Sequence, residues 1–450
     1  MTAIHAAHAL LSDGWVRDLR LTVDQGRIAS MATGVTAEPG DDRCAILVPG
    51  IPNLHSHAFQ RGMAGLAEVG GPEGDSFWTW RELMYRFALA MTPDQLEAIA
   101  TRLYVEMLET GYTRVGEFHY LHHDHNGAPY ADIGELAARI AAASALTRIR
   151  LTLLPVFYAH ADFGDVPPND RQRRFVTDLP QFALLFERCR DLVARLDGAV
   201  LGVAPHSLRA VTPDELEAVA AMRPDGPIHI HAAEQVREVE ACLAWSGQRP
   251  VRWLLDHADI DRRWCVVHAT HMDEQEIADF AASGAVAGLC PVTEANLGDG
   301  TFAGRPYLAA SGRLGIGSDS NVMVDPAAEL RQLEYSQRLA HRERNVMTGE
   351  GIPTARNLLQ MSLAGGSQAL GAPAAAIRTG DPADLVSLGS DTIDLTDGDA
   401  ALAAWVFTGH ARVDRVWVGG ELIVDGGRHR DRDAINARFR VAMRQLAGAL

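Results

Sequence analysis

The sequence predicts an α/β protein: a (β/α)8 TIM-like barrel carrying a small composite β-sandwich built from both termini. Three observations predict it. Eight apolar runs alternate with helix-period segments between residues 47 and 318. Polar residues suited to metal binding stand where several of those runs end. Short β patterns with glycine turns occupy both ends of the chain.

The expected barrel strands are 47–57, 114–120, 149–158, 201–206, 228–232, 265–270, 285–290 and 314–318. Short, nearly continuous apolar runs suit strands buried on both faces, as parallel sheets covered by helices require. Between them, apolar residues recur with helical spacing over 92–110, 134–145, 182–196, 213–222, 273–282 and 326–339. Thr92-Pro93, Thr212-Pro213 and Asp325-Pro326 each join a capping side chain to a proline at the first helical position. Eight strands, most followed by a helix, suggest a closed barrel with its active site at the C-terminal strand ends. A doubly wound open sheet is the competing topology. It would be harder for such a sheet to bring its first, fifth, sixth and eighth strands to one point.

The ends of the chain read differently. Segments 2–44 and 379–427 hold short alternating patterns, and Gly419-Gly420 between two of them is a hairpin signal. The expected division is 1–47 and 376–430 for the sandwich, 48–375 for the barrel, and 431–450 for an amphipathic C-terminal helix. The loop at 162–170 is expected to form a flexible lid or excursion.

Composition bounds the function. The 450 residues, 47% hydrophobic, supply one large domain and a smaller one. Lys+Arg 41 against Asp+Glu 58 gives a net charge of -17, which argues against nucleic-acid or anionic-membrane binding. A few arginines inside a pocket can still hold an anionic small molecule. The five cysteines form no C-x-x-C pair and read as reduced thiols of a cytosolic protein. No leader pattern and no apolar run of membrane-spanning length is present, so a soluble, cytoplasmic protein is expected.

The chemistry concentrates in the run Val48-Pro-Gly-Ile-Pro-Asn-Leu-His55-Ser-His57. On a strand, residues two apart share a face, so His55 and His57 reach the same metal ion. His231, His268 and Asp319 also end apolar runs, where an unpaired polar group would be costly. One such residue is ordinary; four strand ends presenting this set point to a shared site. His229 lies on the same strand face as His231 and is a rival ligand. His271 lies further into a loop than His268 and is a rival for its place.

Together His55-Ser-His57, His231-Ala-Ala-Glu234, His268 and Ser318-Asp319 resemble the ordered signature of the amidohydrolase superfamily, in its mononuclear deaminase branch. The flanking residues Asn53-Leu-His-Ser-His-Ala-Phe-Gln-Arg61, Gly116-Glu-Phe-His-Tyr120 and His229-Ile-His-Ala-Ala-Glu-Gln235 resemble the formimidoylglutamate deiminases within it. The resemblance implies hydrolysis of N-formimidoyl-L-glutamate to N-formyl-L-glutamate and ammonia, a step of histidine degradation. It implies one divalent metal, zinc with iron(II) as the alternative, held by His55, His57, His231 and Asp319. The segment 201–207 has no lysine of the kind that bridges two metals in related enzymes.

Cleaving an amidine-like C=N bond needs hydroxide near neutral pH, which a bound divalent metal supplies by lowering the pKa of its water. On this reading the metal-bound hydroxide attacks the formimidoyl carbon. Asp319 accepts a proton from the water, His268 orients the nucleophile, and Glu234 protonates the departing nitrogen. A dicarboxylate substrate requires cations and donors. His206 and Arg209 stand at and just past the end of the fourth strand, and Arg209 offers a bidentate fork. The resemblance adds Gln60, Arg81 and Tyr120 as substrate contacts, and a homodimer as the assembly. The cluster His119, His122, His123, Asp124, His125 reads as a polar loop, with a second metal site as its alternative. Two further readings stand beside the deiminase: an aminohydrolase acting on guanine, a triazine or an adenosine derivative, and a catalytically silent barrel used for assembly. The complete ligand set argues against the last.

Overall fold

The structure, a computed structural model, describes residues 2–70 and 75–448. Met1 of the expected N-terminal segment and residues 449–450 of the expected C-terminal helix lie outside the described residues.

Eight parallel strands form the barrel. They are β1 (Ile51–Ser56), β2 (Tyr112–His119), β3 (Arg150–Phe157), β4 (in two pieces, Val200–Leu201 and Ala204–Pro205), β5 (Ile228–Ala232), β6 (Trp264–His268), β7 (Val286–Leu289) and β8 (Arg313–Ile316). Ladders join β1 through β4 and β5 through β8. Two seams close the ring. Val203 and Ser207 bridge to Ile228 and His231, and Ser56 bridges to Asp319. This closure excludes the open doubly wound sheet.

The last seam is tight. The Ser318 amide donates to the His55 carbonyl at 3.0 Å, and a Cβ on Gly317 would lie 2.8 Å from the His55 backbone nitrogen. Glycine at 317 therefore lets the eighth strand end approach the first. β4 breaks where the sequence predicts one run over 201–206. Gly202 sits under Pro227, and a Cβ there would meet Leu154 at 2.5 Å and the Pro227 carbonyl at 2.6 Å. The chain bends between its two pieces, pairing with β3 on one side and with β5 through Val203.

The outer helices start where the caps predict. Thr92 and Thr212 form reciprocal capping boxes with Gln95 and Glu215, and Asp325 caps Pro326–His341. The helix expected at 182–196 runs over Leu179–Val193, because Asp178 caps it and Pro180 opens it. Helices at Phe77–Ala90 and Thr354–Ala369 add to the expected set.

Strands from both termini share one hydrogen-bonded sheet of eight. Its order is Arg428–His429, Glu421–Asp425, Arg412–Val418, Leu385–Gly389, Asp42–Pro49, Thr2–Leu11, Gly14–Asp24 and Arg27–Ala32. Gly419 and Gly420, with φ of 56° and 74°, make the predicted tight hairpin. Leu19, Leu21, Ile28, Leu47, Leu385 and Trp417 fill a core separate from that of the barrel. The C-terminal helix, Arg432–Ala447, packs on Pro93–Thr110. In the 162–170 loop Phe163 stacks on Trp245, and the turn that begins at Asp170 packs on the helix Phe77–Ala90, whose side chains line the barrel mouth.

Candidate active site

Four side chains converge at the C-terminal end of the barrel. The Nε2 atoms of His55 and His57 lie 3.2 Å apart, and those of His55 and His231 lie 3.0 Å apart. Asp319 Oδ1 lies 3.2 Å from His57 Nε2 and 3.5 Å from His55 Nε2. All four residues are buried.

This packing is unfavourable without a cation. His57 Nδ1 and His231 Nδ1 donate to the carbonyls of Phe118 and His206, each at 3.0 Å, so each Nε2 carries a lone pair. Burial, reinforced by the neighbouring imidazoles, holds His231 well below its usual range, and burial takes His55 down to about 3. A tetrahedral ion with Zn–N bonds near 2.0–2.1 Å spaces its ligand nitrogens roughly 3.3 Å apart, which matches. The donor set fits one divalent metal.

The strand ends are built for this convergence at some cost. Ala233, His268, Ala269, Asp319 and Asn321 all adopt positive φ between 45° and 70°, a left-handed conformation costing on the order of 1–2 kcal/mol at a non-glycine residue. Side-chain hydrogen bonds hold the turn. Asn53 and Asn321 both engage Ser318 Oγ, and Asn321 Nδ2 donates to the carbonyls of His57 and Asp319.

His268 stands beside the cluster, its Nε2 3.5 Å from Glu234 Oε1 and 3.9 Å from Asp319 Oδ2. Burial pulls the His268 imidazolium down, but Glu234, Glu294 and Asp319 outweigh it and lift the group to about 10. Burial raises the Glu234 carboxyl, opposed by the charge on His268. Burial pushes the Asp319 carboxyl up, but the facing His55 and His57 outweigh it and hold the group well below the usual carboxylate range, so it stays ionised.

A cavity of about 570 Å³ opens above these residues. Gln60, Arg81, Tyr120, His206 and Arg209 all line it, together with His57, His231, Glu234, His268 and Asp319. His55 lies beneath, fully buried. Gln60 donates to the Tyr120 hydroxyl at 2.7 Å. Arg81 donates to Tyr85 and Tyr158 and has no carboxylate partner among the described residues. Arg209 is buried and its Nε has no partner among the described residues. Both rivals fall elsewhere: His229 bonds the Ala369 carbonyl deeper in the barrel, and His271 bonds the Asp299 carbonyl. Of the histidine-rich loop, His122 and His123 are tied to the carbonyls of Val156 and Val176 and gather no second ligand set among the described residues.

Residues 46–423 match the amidohydrolase family, and residues 1–45 match the N-terminal domain of the formimidoylglutamate deiminase HutF. The chain belongs to the amidohydrolase family. This amidohydrolase is 50% identical over 437 residues to a formimidoylglutamate deiminase of Pseudomonas aeruginosa, covering 95% of this chain and 96% of that one. It is 27% identical to an 8-oxoguanine deaminase of the same species, over 95% and 94% of the two chains. Among solved structures, an amidohydrolase from Brucella melitensis superposes with a TM-score of 0.98 at 56% identity, covering 99% of this chain and all of that one.

Sequence reasoning missed part of this amidohydrolase's cavity wall. Phe77, Trp80, Met84 and Tyr85 come from the covering helix, and Tyr158 from just past β3. The capping pair Ser76 and Thr79 ahead of an aromatic run was the available signal for that helix.

Proposed function

We propose that this amidohydrolase hydrolyses N-formimidoyl-L-glutamate to N-formyl-L-glutamate and ammonia in histidine degradation. One observation carries the reading: two guanidiniums that form no ion pair among the described residues, Arg81 and Arg209, share a cavity with the metal-ligand cluster. A guanidinium drawn out of water is expensive unless an anion joins it; Arg209 is buried and Arg81 half-buried, and the substrate brings two carboxylates. Near-full-length similarity to a curated formimidoylglutamate deiminase supports the same reading. A heterocyclic amine, the alternative, gives neither arginine a partner.

His55, His57, His231 and Asp319 would hold the metal, zinc or iron(II), both suited to imidazole and carboxylate donors. When bound, the metal supplies a water acidic enough to act as a nucleophile near pH 7. Asp319 and Glu234 both face His268 Nε2 and would accept the protons of that water. The C–O bond forms at the formimidoyl carbon as the C=N π pair moves onto nitrogen. Glu234 hands its proton to that nitrogen, and His268 stabilises the negative charge on oxygen. The C–N bond then breaks, the carbonyl forms, and ammonia leaves with the second proton of the water. Arg209, Arg81, His206, Gln60 and Tyr120 hold the glutamate moiety.

The direct test is ammonia release from N-formimidoyl-L-glutamate, beside a panel of guanine, triazine and adenosine substrates, with metal measured on the same sample. Turnover of the formimidoyl acid alone supports the reading. Turnover of a heterocycle alone overturns it. Independently of activity, chelation is expected to lower Tm by about 3 °C relative to protein at a free-metal concentration a hundredfold above Kd. An unchanged Tm would argue that the four donors hold no ion.

A further inference from the structure

One buried carboxyl beside the site has no role in the scheme above. Asp299 follows the short helix Pro291–Leu297 and is only 4% exposed. Its backbone is pinned: its amide donates to the Glu294 carbonyl at 2.9 Å, and its own carbonyl receives His271 Nε2 at 2.8 Å. Gly300 follows at a φ of 130°, where a Cβ would crowd the His271 ring at 3.2 Å. The loop is thus fixed against β6. Gln235, the neighbour of Glu234, donates its side-chain amide to Asp299 Oδ1. Asp299 Oδ2 is buried with no partner among the described residues.

An oxygen of Asp299, an oxygen of Glu234 and a ring nitrogen of His268 lie within 4.8 Å of one another. Two carboxylates this close in a buried site do not both ionise at neutral pH; the pair holds a proton. The surroundings decide where it sits. Glu234 faces His268 and Arg209, two cations that favour its charged form, against Glu238 and Asp319. Asp299 faces Glu234, Glu294 and Asp319, with His268 opposing them. Burial and these acids raise the Asp299 carboxyl to about 9. An oxygen that no N–H reaches is also where an O–H belongs.

We propose that Asp299 is a positioning residue for the deimination, a neutral carboxylic acid whose Oδ2 proton is turned toward Glu234 and keeps that carboxylate charged and oriented to accept a proton. The inference rests on Glu234 being the proton carrier. Its chemistry is a hydrogen bond, so no bond forms or breaks at Asp299.

The Asn variant mimics the neutral acid: its Oδ1 still accepts from Gln235 and its Nδ2–H replaces the O–H. In metal-loaded protein, Asp299→Ala is expected to lower kcat by about 30-fold, the loss of one hydrogen bond to a charged group, with KM and metal content little changed. Asp299→Asn is expected to restore kcat to within about threefold of wild type by supplying that hydrogen bond. An Asn variant as impaired as the Ala variant would overturn the proposal, as would an Ala variant as active as wild type. A second measurement needs no substrate. At pH 7, the infrared difference between wild type and Asp299→Asn should contain the C=O stretch of a protonated carboxylic acid; carboxylate bands alone would overturn the proposal. If the wild type releases no ammonia, the substrate assignment fails while the infrared result still decides the protonation of Asp299.

Discussion

Glu234→Gln is expected to lower kcat by about 10²–10⁴-fold, the range for losing a positioned general acid–base group, while metal content stays the same. The change is isosteric. Glu234 lies three residues past His231, on a turn where Ala233 takes a φ of 54°, and it is not one of the four convergent donors. Its carboxylate oxygen sits 3.5 Å from His268 and faces the cavity. Glutamine keeps the shape and cannot carry a proton from water to nitrogen. Because the loss is confined to proton transfer, KM should move little. Metal analysis and steady-state kinetics on one preparation check this. A variant turning over within tenfold of wild type would remove Glu234 from the proton path.

Arg209→Ala is expected to act on the other kinetic parameter. The guanidinium is buried in the cavity wall, its Nε has no partner, and it forms no ion pair among the described residues. A substrate carboxylate would fill that role, and removing one member of a buried charge pair costs about 2–5 kcal/mol. The expected result is a fall in kcat/KM of at least about 30-fold, mostly through KM, with metal content and Tm near wild type. Arg209→Lys should recover only part, because an ammonium cannot offer the two parallel N–H groups of the fork. A substrate lacking one carboxylate sharpens the test. If wild type and Arg209→Ala handle it equally, the arginine reads that carboxylate; if the variant is equally impaired on both substrates, Arg209 acts elsewhere.

What could be read in advance follows from what is local. The pair His55 and His57 was legible because a strand repeats every two residues. His231, His268 and Asp319 were legible because a polar group ending a buried run needs a partner. The sequence favours His231 over His229, which shares its strand face, for its spacing to Glu234 and its place nearer the strand end; what the sequence does not show is that the Ala369 carbonyl, from a helix far along the chain, engages His229. The broken fourth strand was illegible for the same reason. Gly202 looks permissive in the sequence, and only Leu154 and Pro227 pressing on it make the bend necessary. Arg81 was placed by resemblance, but the helix bearing it, and the aromatic wall it brings, depend on tertiary packing over the barrel mouth. Asp299 carried no signal at all: an acid after a glycine reads as a surface turn until Gln235 and His271 enclose it.

The strand Asp42–Pro49 has consequences for how the molecule is made. It runs parallel to Thr2–Leu11 on one side and antiparallel to Leu385–Gly389 on the other. Gly50 alone separates it from β1, the strand that carries His55. During synthesis the first neighbour is available almost at once, whereas the second leaves the ribosome only after all eight barrel strands. Until then an apolar edge with unpaired amides stays open beside the strand bearing His55, a template for pairing with a neighbouring nascent chain. The nascent protein is therefore most vulnerable to aggregation in the interval before residue 385 emerges, and a chain cut short of that point would keep the exposed edge permanently.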